Sequence, residues 1–362
     1  MKNLKAIQRM IEAAFCESAE LEWRQMKIAI CPFGENGFTT KEVLNKCYGI
    51  DEVAIIDNKW SKWNPKIISV ADLEKVNAED RIILLNSTIE SVNCELENQI
   101  KMVLPKAKII NIIEEPVVVE NSEKQKFYSL LKEKLKTRNV LNHELIRVGK
   151  MNDGGYILLN DFTTAVHAYS FGIGSDVSWE LDMVNNGVMD VFMYDPTICK
   201  LPQYHRGFHF SQIGISGKDS IDNKYLSMKS ILKRNNDLDN KNLILKMDVE
   251  GAEWDFILNT EEEILDNFIQ MSFEFHNLIS EENEDIVLKT FDKLNHTHCP
   301  IWVHANNSGI NVKIGSNILP GLLEVTFVNK KLYEFGNKTI HYPISLDSPN
   351  IRTRREIELG IW

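Results

Sequence analysis

Two short segments carry the residues best suited to moving protons, Asp248-Val249-Glu250 and Glu274-Phe275-His276. Each sits at the end of an apolar run. In an extended chain residues two apart share a face, so each pair would present two polar groups on one side of a strand tip. Histidine, with an ordinary pKa of ~6.5, exchanges a proton near neutrality. His276 therefore reads as a candidate general base, with Glu274 placed to orient it or balance its charge, and Asp248 and Glu250 as a similar catalytic pair. A positioned base contributes typically ~10²–10⁴-fold where a proton must leave. The plainer readings stay open: a hydrogen-bonded structural histidine, and carboxylates that cap a helix or pair with a surface cation. Four such groups at adjacent tips could also gather a divalent cation such as magnesium, although no residue is assigned to a metal from sequence.

A second group reads as a ligand cradle. Phe171-Gly172-Ile173-Gly174-Ser175 falls where a strand should turn into a helix, and glycines there let backbone N–H groups approach a ligand closely. Asp195, in Tyr194-Asp195-Pro196, ends the next apolar run about twenty residues later, where doubly wound folds place a carboxylate against the hydroxyls of an adenosine ribose. The third glycine of the dinucleotide fingerprint is missing, which disfavours NAD. Gly172, Gly174, Ser175 and Asp195 are candidate cofactor-binding residues, against a bare tight turn and a helix-capping Asp before proline. Asp153 and Tyr156 would border the other end of the same ligand, unless Gly154-Gly155 is simply a hairpin turn. His304, Asn306 and Asn307 are candidate substrate contacts, with a polar turn as the competing reading.

For these groups to converge, the chain between them must alternate strand and helix. Apolar runs fall at 167–173, 190–195, 209–215, 243–249, 269–275, 301–305 and 322–328. Segments able to be helical separate the first five. A Gly-rich and Asn-rich loop joins the last two and would return the final strand antiparallel. Earlier runs at 26–31, 52–57, 81–86 and 107–113 alternate with helical spacing and suggest a smaller α/β unit. It carries Pro32-Phe33-Gly34-Glu35-Asn36-Gly37, an incomplete glycine-rich turn, and Asp57 at the end of its second strand. A bound nucleotide portion and a packing or dimerisation role both stand for this unit; Trp60 and Trp63, in a loop, suit an interface between copies in a homodimer. The expected domains are 1–114 with an amphipathic helix over 1–25, a helical connector over 115–144, and a larger domain over 145–362.

At 362 residues the chain can bury two cores, and 43% hydrophobic with 26% charged residues is ordinary for a globular protein. A net charge of −11 with no basic cluster argues against nucleic acid as a partner and for a small molecule. Six cysteines without a CxxC pair exclude a zinc ribbon or disulfide framework and read as buried thiols. No apolar run approaches the ~18–20 residues that span a bilayer, and the charged opening segment is unlike a signal peptide, so a cytoplasmic location is expected.

The most specific string is Leu245-Lys246-Met247-Asp248-Val249-Glu250-Gly251-Ala252-Glu253-Trp254. It resembles the signature of the FkbM-type methyltransferases, in which it ends the fourth strand. The likeness extends over most of 145–330. Asn152 to Tyr156 looks like the lead-in segment, Phe171 to Ser175 the first cofactor loop, and Tyr194-Asp195-Pro196 the ribose loop, with Asp where many relatives have Glu. Ser272 to His276, Val303 to Asn307 and Leu323 to Thr326 look like strands five, six and seven. The resemblance implies an α/β class I methyltransferase fold, a Rossmann-like seven-stranded sheet, preceded here by a small Rossmann-like α/β domain. It also implies S-adenosylmethionine as cofactor and transfer of its methyl group to a hydroxyl. The expectation is an O-methyltransferase acting on a sugar or nucleotide-linked sugar in surface polysaccharide biosynthesis. Two other classes stand beside it: a non-catalytic nucleotide-sugar binding protein with the same fold, and an NAD-dependent sugar oxidoreductase using Gly34 and Asp57.

Overall fold

The computed structural model describes residues 11, 27–33, 35–50, 53–76, 81–87, 90–111, 117–118, 122–309, 311–315, 317–352, 354 and 356–362. The expected helix over 1–25, apart from residue 11, and Gly34 lie outside them. The chain divides into two compact units, Met1–Glu115 and Pro116–Trp362.

In the first unit, β1 (Lys27–Cys31), β2 (Val53–Ile55), β3 (Arg81–Leu85) and β4 (Lys108–Asn111) form a parallel sheet in the order β2-β1-β3-β4. Helices α1 (Glu35–Tyr48) and α2 (Glu90–Val103) connect them. Alternation along the strands sends Ile28, Ile30, Ile82 and Leu84 to one apolar core, and Ala29, Cys31, Ile83 and Leu85 to another, so both sheet faces are covered. Asp57 is buried, and its carboxylate accepts the backbone N–H groups of Phe33, Lys59 and Trp60 at 2.8–2.9 Å. Both oxygens thus tie two loops together.

The second unit opens with α3 (Ser122–Lys134), whose Phe127, Tyr128 and Leu131 join the core beneath the larger sheet. A hairpin follows, β5 (Leu145–Val148) and β6 (Tyr156–Leu159), with Asn152 and Gly154 at positive φ in its turn. The main sheet comprises β7 (His167–Phe171), β8 (Asp190–Tyr194), β9 (Phe208–Ser211), β10 (Leu243–Met247), β11 (Phe268–Phe275), β12 (His298–Ala305) and β13 (Leu323–Asn329). Its order is β9-β8-β7-β10-β11-β13-β12. The five strands from β7 to β11 pair in parallel, and β13 runs antiparallel to both neighbours. Counted along the chain this is 3-2-1-4-5-7-6, a doubly wound sheet closed by a reversed hairpin, and it is the class I methyltransferase fold that the sequence implied.

Helices α4 (Ser178–Asn185), α5 (Met228–Arg234), α6 (Glu253–Asn259) and α7 (Glu284–Thr297) cover the sheet. The segment between β8 and β9 is irregular instead of helical. Pro196, Pro202 and Gly207 punctuate it too closely for a turn of helix to propagate. The expected loop between β12 and β13 holds a second hairpin, Asn311–Ile314 with Asn317–Pro320. Of the cysteines, Cys31 and Cys299 are buried as expected, while Cys47 and Cys199 are exposed. Among the described residues no helix is long and apolar enough to cross a membrane.

Candidate functional site

Strand order reverses between β7 and β10, and open α/β sheets bind ligands in the crevice outside the carboxyl ends of such a pair. Gly172 follows β7 and Asp248 follows β10, and the two backbones touch. A Cβ on Gly172 would lie 1.6 Å from the Asp248 carbonyl oxygen, and its φ of 77° is left-handed, so only glycine fits. Gly174 is different. Nothing lies within 4 Å of where its Cβ would be, and both it and Ser175 are exposed, so the loop surface here is open to a ligand.

Asp195 is buried at the tip of β8 and reaches back to this loop. One carboxylate oxygen accepts the N–H groups of Ile173 and Gly174, both at 2.9 Å, and the other accepts the N–H and hydroxyl of Thr197 at 2.7 and 2.6 Å. Burial alone would raise its pKa, but these donors outweigh that and hold it below the ordinary carboxylate value. The protein fills all four acceptor positions of Asp195, which thereby shapes the glycine loop, and the ribose contact read from the sequence stays an expectation.

The Lys246–Glu253 string has a structural reason at most positions. Lys246, buried, donates to the Gly172 carbonyl at 2.6 Å and so braces the first loop from below. Glu250 and Gly251 both take positive φ, 56° and 108°. Glycine does so readily, whereas for Glu250 the left-handed conformation costs roughly 1–2 kcal/mol. That conformation leaves the Glu250 side chain 88% exposed, 3.4 Å from His276 Nε2. Glu253, with a fully buried side chain, accepts the Val249 N–H at 2.8 Å and faces His276 Nδ1 at 3.2 Å. Trp254 donates to the His276 carbonyl at 2.9 Å, tying α6 to the end of β11.

Asp248, Glu250, Glu274 and His276, chosen for alternation at strand tips, do gather. Oxygens of Asp248 and Glu274 lie 3.9 and 3.8 Å from His276 Nε2. Burial would lower the His276 pKa, but the Glu253 hydrogen bond and the charges of Glu253, Glu274 and Asp248 prevail and push it up to about 9. Burial raises both Asp248 and Glu274, the latter strongly and with the Asp248 and Glu324 charges adding to the effect. The reading of His276 as a general base stays an expectation, and these neighbours are the groups that would set its basicity. The carboxylates around the ring raise its affinity for a proton, and the same negative charge favours a cation beside Nε2.

Tyr156 is wholly buried on β6, and its hydroxyl lies 3.4 Å from a Glu274 oxygen, so it touches the cluster. Asp153, exposed in the hairpin turn, is near enough for its charge to act on Glu274. Asn306 donates to the other Glu274 oxygen at 2.9 Å. His304 bridges Glu324 and Glu356 at 3.1 and 2.8 Å and is driven to a pKa of about 10, since those two carboxylates outweigh its burial. Asn307 exchanges hydrogen bonds with the backbone of Ile351, and Asn350 donates to Glu324. The carboxy-terminal segment thus lies over these tips. His304, Asn306 and Asn307, read from sequence as acceptor contacts, are buried under it and engaged by the protein itself.

Sequence reasoning passed over Lys246, Glu253, Glu324 and Glu356. Lys246 and Glu253 had a signal, a charge inside an apolar run and an acid three residues before an apolar helical face. Glu324 and Glu356 had none, because their partner His304 is reached only through strand register and a long return of the chain.

No family model matches the chain. No curated protein matches it either. Solved structures similar to it include a proposed RNA methyltransferase from Pyrococcus horikoshii at 11% identity and a TM-score of 0.27, covering 45% of this chain and 74% of that one. A proposed SAM-dependent methyltransferase from Streptococcus mutans is similar at 9% identity and a TM-score of 0.30, covering 67% of each chain. A third, a proposed methyltransferase complexed with SAH, is similar at 9% identity and a TM-score of 0.32, covering 68% of this chain and 69% of that one. With TM-scores this low, the fold assignment rests on the strand order.

Proposed function

We propose that the carboxy-terminal unit is an S-adenosylmethionine-dependent O-methyltransferase of the FkbM kind, whose acceptor is a sugar or nucleotide-linked sugar of surface polysaccharide synthesis. The observation that carries the reading is the meeting of Gly172 with Asp248, 1.6 Å from any added Cβ, which makes the glycine cradle and the charged cluster one site at the switch point. The cofactor and the sugar acceptor follow from the resemblance of the 245–254 signature.

When bound, S-adenosylmethionine supplies a methyl group on a positively charged sulfur. Asp195 and Lys246 hold the 172–175 loop in shape from two sides, and the open surface at Gly174 and Ser175 suits the adenosyl portion. A hydroxyl placed in line forms its C–O bond as the S–C bond breaks. The electron pair stays on sulfur and the hydroxyl proton must leave. Much of the acceleration comes from that alignment. Glu250, exposed beside His276, is placed to receive the proton, with Asp248, Glu274 and His276 setting the local charge.

Titrating the full chain with S-adenosylmethionine is expected to give saturable heat. A folded protein silent at high micromolar ligand would sink the reading, and binding without S-adenosylhomocysteine formation across a panel of activated sugars would favour the non-catalytic alternative. Asp195→Asn is expected to weaken cofactor binding by roughly ten- to a hundredfold, since charged acceptors to loop amides are worth ~1.5–3 kcal/mol each. Unchanged affinity in that variant would show that the loop needs no brace.

A further inference from the structure

Asp248, Glu274 and His276 each offer one ligand atom, and these atoms lie within 4.8 Å of one another. Among the described residues no hydrogen bond engages the Asp248 carboxylate or Nε2 of His276. The His276 side chain is only 9% exposed, yet its Nε2 faces three carboxylates at 3.4, 3.8 and 3.9 Å, longer than N–H···O bonds run. Ligand atoms each ~2.1 Å from one small cation stand roughly 3–4 Å apart, and the Asp248 and Glu274 oxygens lie 3.9 and 3.8 Å from His276 Nε2.

The far sides of His276 and Glu274 are built. His276 Nδ1 faces the buried Glu253 carboxylate and the Glu274 carbonyl, both at 3.2 Å, and Asn306 orients the Glu274 oxygen nearest Nε2. A carboxylate or carbonyl on the distal nitrogen is the arrangement that fixes an imidazole for ligation. The second oxygen of Glu253 is buried with no hydrogen-bond partner, so negative charge here exceeds what the described donors satisfy.

We infer that Asp248, Glu274 and His276 bind one divalent transition-metal cation, manganese(II) in preference to magnesium. An imidazole nitrogen beside two carboxylates suits first-row transition ions, whereas magnesium takes oxygen ligands and water. Three protein ligands leave coordination positions open. On the methyl-transfer reading, on which this part rests, one of them holds the acceptor oxygen.

The test is titration of the chelator-treated full chain with manganese(II), followed by the loss of the free-ion electron paramagnetic resonance signal. One ion per chain is expected, with imidazole nitrogen modulation in its spin-echo spectrum and at least tenfold weaker competition by magnesium. Asp248→Asn and His276→Gln should each weaken binding at least tenfold, while Asp222→Asn, an exposed carboxylate elsewhere, should not. No saturable binding, no nitrogen modulation in the wild-type complex, equal competition by magnesium, or binding that survives both substitutions overturns the proposal. Because the nitrogen signal is read on the wild type, it decides the matter even if a variant misfolds. S-adenosylmethionine binding without manganese binding refutes this inference alone, and the reverse refutes the methyltransferase reading alone.

Discussion

Gly172→Ala is expected to abolish cofactor binding and to destabilise the carboxy-terminal unit by several kcal/mol, whereas Gly174→Ala should cost only about 1–2 kcal/mol. The two glycines are two residues apart and both left-handed, with φ of 77° and 55°. They differ in what surrounds them. A methyl at 172 meets the Asp248 carbonyl oxygen at 1.6 Å and its carbon at 2.8 Å, whereas a methyl at 174 meets nothing within 4 Å. The obstacle at 172 is backbone, so no rotamer change relieves it. Either β7 and β10 separate at their tips, opening a central strand pair, or the loop leaves the position that Asp195 and Lys246 hold. Urea unfolding and calorimetric titration of the two variants together check this. Equal stability in both would mean that the tips of β7 and β10 do not meet, and the site as described would dissolve with them.

That contact shows where the sequence was informative and where it was not. The strands were legible because a sheet covered on both faces needs largely apolar runs, and Leu243–Met247, broken only by Lys246, is such a run. Their tips were legible for the same reason: the polar residues that interrupt an apolar run mark its end. The chemistry at the tips was less so. From the sequence Asp195 and His276 have only the roles their types suggest, a ribose acceptor and a base, and the partners that hold each side chain are not visible there. The partners of Asp195 are Thr197 and the amides of its neighbouring loop, and those of His276 include Glu253, buried at the start of α6. None of those pairings is periodic. The polar turn after β12 was ambiguous from the start, and the chain resolved it by folding Asn350, Ile351 and Glu356 back over it, a long-range return that no local pattern encodes.

The second large effect lies away from the site, at His298, where stability should fall by about 2 kcal/mol between pH 7 and pH 5 through this residue alone. His298 opens β12 and is completely buried. Its Nε2 lies 2.9 Å from the Phe268 carbonyl and its Nδ1 lies 2.8 Å from the Thr297 hydroxyl. Assigned as the neutral tautomer with the proton on Nε2, the ring donates to the first and accepts from the second, so both nitrogens are satisfied without a charge. Burial, with Lys330 and Lys331 adding to it against Asp266 and the Phe268 hydrogen bond, lowers the pKa to about 4 from the ordinary 6.5. In the unfolded chain the ring takes a proton below about 6.5, and in the folded chain it resists until about 4, so the unfolded state binds more protons throughout that window. Stability is therefore complete above pH 6.5 and drains at close to 1.4 kcal/mol per unit as pH falls toward 4. His298→Gln keeps a polar side chain of similar reach but cannot titrate. Urea unfolding at both pH values, followed by tryptophan fluorescence, should show the wild type losing about 2 kcal/mol more than the variant. Parallel pH profiles would place the ring in contact with water, which would require the start of β12 to be open where the sheet now closes over it.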